Sequence, residues 1–179
     1  MKIDSTNVTR GIGLAVAALV FLIDQGAKYY VTGPLGLSFE GAELRLLPIF
    51  DLRYVENVGV SLGLLRANGD VMRWLLVLLT AGIAGGVVWW MFREKKLPDI
   101  AALGLVLGGA LGNILDRSRL GYVVDFADLH FGQWRPFLVF NVADAAITIG
   151  VLILLIRALF VRDKAPAAPA APVENEVNA

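Results

Sequence analysis

The sequence has no cysteine in its 179 residues, which removes disulfides, thiolate metal ligands and a cysteine nucleophile in one step. It has a single histidine, His130, so neither a histidine metal cluster nor a Ser-His triad has support. An imidazole in a Trp-containing stretch reads instead as an interfacial residue. Net charge is absent too: 16 Lys and Arg balance 16 Asp and Glu, which gives no argument for nucleic acid or for long-range attraction of charged partners. Charged residues make up only 18% of the chain, whereas 57% is apolar. That is the composition of an integral membrane protein.

Residues 1–10 are polar and carry Lys2 and Arg10 ahead of an apolar run that starts at Gly11. The apolar core of a secretory leader is about 7 to 15 residues long. This run continues to Val31, so a retained helix is expected. Four spans are expected, at about 11–31, 73–92, 99–117 and 140–160. At about 1.5 Å per residue each can cross a hydrocarbon core of about 30 Å. Trp74 and the pair Trp89-Trp90 bracket the second span as aromatic belts do.

Lys2 and Arg10, the link Arg93-Glu94-Lys95-Lys96, and Arg157, Arg162 and Lys164 put the termini and the middle link in the cytoplasm. Residues 32–72 and 118–139 then face outward. The first of these segments is expected to hold one or two short strands against the membrane surface, with Gly33-Pro34 and Pro48 as breaks. Asn68-Gly69-Asp70 reads as a turn and helix start. The fold class is thus an all-α membrane protein of four transmembrane helices with a small outward strand region. Residues 1–162 form one membrane-embedded domain, and the Ala/Pro-rich residues 163–179 form a disordered cytoplasmic tail.

This topology converts position into depth. Asp24 and Lys28 lie near the outer end of the first helix, and Asn113, Asp116 and Arg117 near the outer end of the third. Asn141 and Asp144 open the fourth helix at the same level, with Asn57 and Asp125 in the outward segments beside them. Snorkelling alone would decorate both membrane faces. Local readings exist for most of these residues. Asp24 and Lys28 suit an i,i+4 ion pair, Asp116-Arg117 a helix-end pair, and Asn141 with Asp144 either a helix start or a site. Gly104, Gly108 and Gly112 recur at four-residue spacing and suit close helix packing.

Asp125 and Asp144 are harder to assign to structure alone, because a carboxylate beside lipid is costly. Two carboxylates in one poorly solvated site cannot both ionise cheaply, so they share a proton. One can then act as base on a water while the other donates a hydrogen bond to a carbonyl. That chemistry is aspartyl peptide hydrolysis, and it requires no metal, cysteine or histidine.

Four blocks together resemble the lipoprotein signal peptidase (signal peptidase II) family, bacterial aspartyl proteases of the inner membrane. They are Asp24-Gln25-Gly26-Ala27-Lys28, Asn57-Val58-Gly59-Val60-Ser61, the run from Gly108 through Asn113, Asp116 and Arg117 to Val124-Asp125-Phe126, and Phe140-Asn141-Val142-Ala143-Asp144. The resemblance covers about residues 10–160. It implies four membrane helices with an outward β-cradle, and an endopeptidase that cuts prolipoproteins before a diacylglyceryl-modified cysteine. It also implies a catalytic pair Asp125 and Asp144, with Asn57, Asn113, Arg117 and Asn141 lining or bracing the site and Asp24 and Lys28 supporting it. No metal or cofactor is implied. The expected partners are the prolipoprotein and the bilayer, with no nucleic acid, and the expected state is a monomer with its site near the outer surface. Val60 and Leu62 depart from the family's usual Ala and aromatic, which bears on the substrate-facing loop.

Three other readings remain on the sequence. A Ser-Lys hydrolase would use Ser61 and Lys28. A small transporter or channel subunit would carry protons or cations on Asp24, Asp116 and Asp144, and it predicts polar residues through the full bilayer depth. A structural four-helix partner would leave the acidic pair without a task.

Overall fold

The computed structural model describes residues 5–59 and 69–160. Val60, Ser61, Leu62 and the Ala/Pro-rich tail lie outside the described residues. Four helices, α1 (Ser5–Thr32), α2 (Gly69–Arg93), α3 (Leu97–Leu120) and α4 (Val142–Phe160), are each long and apolar enough to cross a membrane. Three strands, β1 (Glu43–Leu47), β2 (Phe50–Asn57) and β3 (Val123–Leu129), form one antiparallel sheet in the order β1-β2-β3.

α3 is the central helix. Just over half of its membrane window, 56%, is buried inside the protein, against 17 to 22% for the other three. The glycines explain how close its neighbours come. A Cβ on Gly104 would collide with the Gly13 carbonyl and Val16 of α1, and one on Gly108 with the Ala17 carbonyl and Val20. The opposite edge meets α4, where Gly109 lies against the Ala143 carbonyl. The four-residue glycine spacing is therefore a packing surface toward α1, and Gly109 adds a second one toward α4. At the end of the bundle away from the sheet, Arg157 of α4 pairs with Asp99 of α3 at 2.5 Å.

The segment after α1 holds the two strands β1 and β2, joined by the tight turn Pro48-Ile49 between the paired residues Leu47 and Phe50. The third strand lies in residues 118–139, where no strand is legible. α3 stops at Gly121, whose φ of 95° is open to glycine at little cost, and the chain enters β3 two residues later. β3 is buried at six of its seven residues, so it shows no polar alternation. Leu52, Tyr54, Val124 and Phe126 pack the sheet onto Val31 and Leu37, at and just beyond the end of α1.

Helix bounds differ from the sequence reading at the ends. α1 begins at Ser5 rather than Gly11, since hydrogen bonding extends the helix beyond its apolar stretch. α4 begins at Val142 rather than Phe140, because Phe140 is held in a β-bridge to Ala127.

Candidate active site

The end of the bundle nearest the sheet holds the polar residues. Asp144 occupies the third position of α4, and Asn141 caps that helix. The Asn141 side-chain oxygen accepts the Asp144 N–H at 2.9 Å, and the Asp144 carboxylate accepts the Asn141 N–H at 3.3 Å. This reciprocal cap fixes the start of α4. Asn141 serves the site as well, since its amide donates to Asp125 Oδ1 at 2.6 Å. One side chain thus starts the helix and also hydrogen-bonds Asp125.

Asp125 projects from β3 with only 1% of its surface exposed. Its second oxygen accepts from Asn57 Nδ2 at 2.9 Å. Asn57 ends β2, and its own side-chain oxygen turns the backbone by accepting the Gly59 N–H at 2.8 Å. Burial pushes the Asp125 carboxyl up to about 6, and the Asn57 and Asn141 hydrogen bonds oppose that rise while the nearby Asp144 charge adds to it. Asp144 is half-buried, and its Oδ1 accepts from Asn113 Nδ2 at 2.8 Å. Asn113 in turn accepts from Asn141 at 3.3 Å. The two carboxylates are therefore tied together through Asn141, which caps α4, and Asn113 on α3.

Beneath this lies an ion cluster. Lys28 Nζ reaches Asp24 at 2.7 Å, Asp116 at 2.7 Å and Asn113 Oδ1 at 3.3 Å, which occupies all three of its donors. The acids extend that order to the backbone. Asp24 accepts the N–H of Ala143, next to Asp144, at 2.9 Å, and Asp116 accepts the N–H of Val124, next to Asp125, at 3.3 Å. One buried cation thus registers the main chain on both sides of the carboxylate pair.

Asp116 pairs with Lys28, not with its neighbour Arg117. Gln25, which the sequence left without a task, bridges Asp24 at 3.2 Å and Asp116 at 2.9 Å. Its signal was present in its place one residue after Asp24. Arg117 lies within electrostatic range of Asp144, Asp125 and Asp116, beside Gly59. Arg73 of α2 donates to the carbonyls of Arg117 at 2.7 Å and Ser118 at 2.5 Å, closing the end of α3.

The histidine is a correction. His130 is 3% exposed and sits 2.9 Å from Asp51 inside the sheet region, so it is not an interfacial side chain. Among the described residues no group of three or more His, Asp or Glu is arranged to hold a metal ion. An apolar groove of about 560 Å³ leads to Asp144 between α4 and residues 136–138.

Fold and site together define a polytopic membrane protein with a carboxylate pair in a buried polar centre at one end of its helix bundle. The Signal peptidase (SPase) II family profile matches residues 16–160. A lipoprotein signal peptidase from Rhizorhabdus wittichii is 57% identical over 172 residues, covering 96% of each chain. One from Caulobacter vibrioides is 39% identical over 157 residues, covering 85% of this chain and 90% of that one. A solved structure described as a bacterial membrane enzyme superposes with a TM-score of 0.73 at 28% identity, covering 85% of this chain and 95% of that one. The chain belongs to the signal peptidase II family of aspartic proteases and is a multi-pass protein of the bacterial inner membrane.

Proposed function

We propose that this chain removes signal peptides from diacylglyceryl-modified prolipoproteins by cutting before the lipid-modified cysteine, with Asp125 and Asp144 activating the water. The observation that carries this reading is the shared scaffold of the two acids, in which Asn141 and Asn113 connect Asp125 on β3 to Asp144 on α4. In this reading the working form of the pair carries one proton. Burial of Asp125 favours that proton there, so Asp125 donates a hydrogen bond to the scissile carbonyl oxygen. Asp144, which lines the open groove, takes a proton from the attacking water. Collapse of the tetrahedral intermediate passes a proton to the departing amine and restores the pair. Asn57, Asn141 and Asn113 orient the carboxylates, Asp24 and Lys28 register the backbone behind them, and Arg117 supplies positive potential beside the developing charge.

The cationic ends of the helices support a topology with both termini in the cytoplasm and the site near the outer surface. A substrate tethered there by its apolar signal helix and its acyl chains has a high local concentration of scissile bonds. A monomer suffices for this reading, which calls on no group from a second copy. The Ser-Lys alternative is disfavoured by Lys28, whose three donors are already engaged with two carboxylates and an amide.

Mass spectrometry of the products from matched prolipoproteins, with and without the diacylglyceryl group, tests the substrate. Cleavage before the cysteine of the lipidated form alone is expected, and it should survive a chelator and the Ser61→Ala substitution. Equal cutting of both forms, or loss of cutting in Ser61→Ala, would overturn the reading.

A further inference from the structure

The sheet carries a second group of charges that the dyad does not use. Asp51 of β2 and Asp128 of β3 are partners directly across the ladder, both buried, and like charges in that arrangement repel. His130 Nε2 lies 2.9 Å from the Asp51 carboxylate. The Asp128 charge is offset by Arg53 at 3.9 Å and by a close ion pair with Arg135.

Arg135 sits in the stretch that links β3 to α4. That stretch is pinned at both ends. Phe140 exchanges backbone hydrogen bonds with Ala127 at 2.7 and 3.0 Å, and the His130 N–H donates to the Ile49 carbonyl at 3.0 Å, just before a turn closed by Phe131 and Trp134 around Gly132. Between these two pins the Arg135 side chain is the tie back to the sheet. The residues that follow it, Pro136, Phe137 and Leu138, overhang α4 and form one wall of the groove whose other side holds Asp144, Thr148 and Ile149. Phe137 and Leu138 are 59% and 84% exposed, so little packing of their own holds them in place.

We propose that Arg135, through its ion pair with Asp128, is a positioning residue that sets the width of the substrate groove by holding residues 136–138 over α4. The apolar part of the substrate next to the scissile bond is the occupant, so the inference rests on the function given above. Loss of the tie lets the wall move away from α4 and weakens binding, while the carboxylate pair and its asparagine braces stay in register. A salt bridge of merely structural value would act on stability or on turnover instead.

Steady-state cleavage of a diacylglyceryl-modified prolipoprotein by the full chain in detergent tests this. In Arg135→Gln, KM should rise about three- to tenfold with kcat within about twofold of wild type. Arg135→Lys, which keeps the charge, should recover most of the loss. Leu138→Ala should raise KM too, and the double variant Arg135→Gln/Leu138→Ala should be no worse than the weaker-binding single variant, since both changes act on one wall. If Arg135→Gln fails to fold, Asp128→Asn carries the same comparison. An unchanged KM in an active Arg135→Gln, a fall in kcat alone, or multiplicative effects in the double variant would overturn the inference without touching the function. A wild type inactive on this substrate would overturn the function itself and the inference with it.

Discussion

Asp125 is a carboxyl that the fold holds against its own preference for water. Its pKa is raised to about 6 from an ordinary value of 3.8 by burial first, with the Asp144 charge adding to the effect. The folded state therefore binds the proton more tightly than the unfolded state between those values, and stability falls as pH rises through that window. The size is up to about 3 kcal/mol at about 1.4 kcal/mol for each pKa unit. Thermal unfolding in detergent should show a midpoint that drops between about pH 4 and pH 6 in wild type, and this drop should be smaller in Asp125→Asn. An identical pH profile in the two proteins would contradict a raised Asp125. The acids, asparagines and Lys28 were all legible as single residues, because polar groups at one depth of an apolar chain need a reason. Their partners were not. Lys28 and Asp116 are 88 positions apart, and no spacing rule reaches that far, so Asp116 read as a local pair with Arg117 until the fold brought it to Lys28.

At the scale of elements, the site depends on how near α3 can come to its neighbours. Gly109 lets the first turn of α4 lie against α3, and that turn carries Asp144. A methyl group at Gly109 would meet the Ala143 carbonyl and Ile147, so Gly109→Ala should push α4 outward, cost about 1–3 kcal/mol of stability and lower cleavage. Gly86→Ala in α2, where an added Cβ meets nothing within 4 Å, is the matched control and should leave both unchanged. Comparable unfolding midpoints and rates for the two variants would contradict the packing argument. The glycine pattern toward α1 was readable from its four-residue period. β3 was not, since a strand buried on both faces has no alternation to read, and its acidic residues made the segment look like a loop. The N-cap of α4 was readable only as an alternative, and Asn141 both caps that helix and hydrogen-bonds Asp125.

For the whole molecule, the four spans followed from length and apolarity alone, whereas sidedness rests on the placement of cations. The absence of cysteine makes that placement easy to test, because a single introduced thiol has no background. Ser38→Cys, beyond the end of α1, should react with a membrane-impermeant thiol reagent added outside intact cells or spheroplasts. Lys95→Cys, in the link between α2 and α3, should react only after the membrane is opened. Both positions are exposed, so burial does not confound the comparison. The reverse pattern would invert the topology and move the carboxylate pair to the cytoplasmic face.

In the proposed reaction Asp125 and Asp144 act together on one water. The most direct test is the turnover of a diacylglyceryl-modified prolipoprotein by purified wild type, Asp125→Asn and Asp144→Asn, each checked for an intact fold in detergent. Either substitution alone should lower kcat by at least about a hundredfold. Near-normal turnover in either folded variant would contradict it.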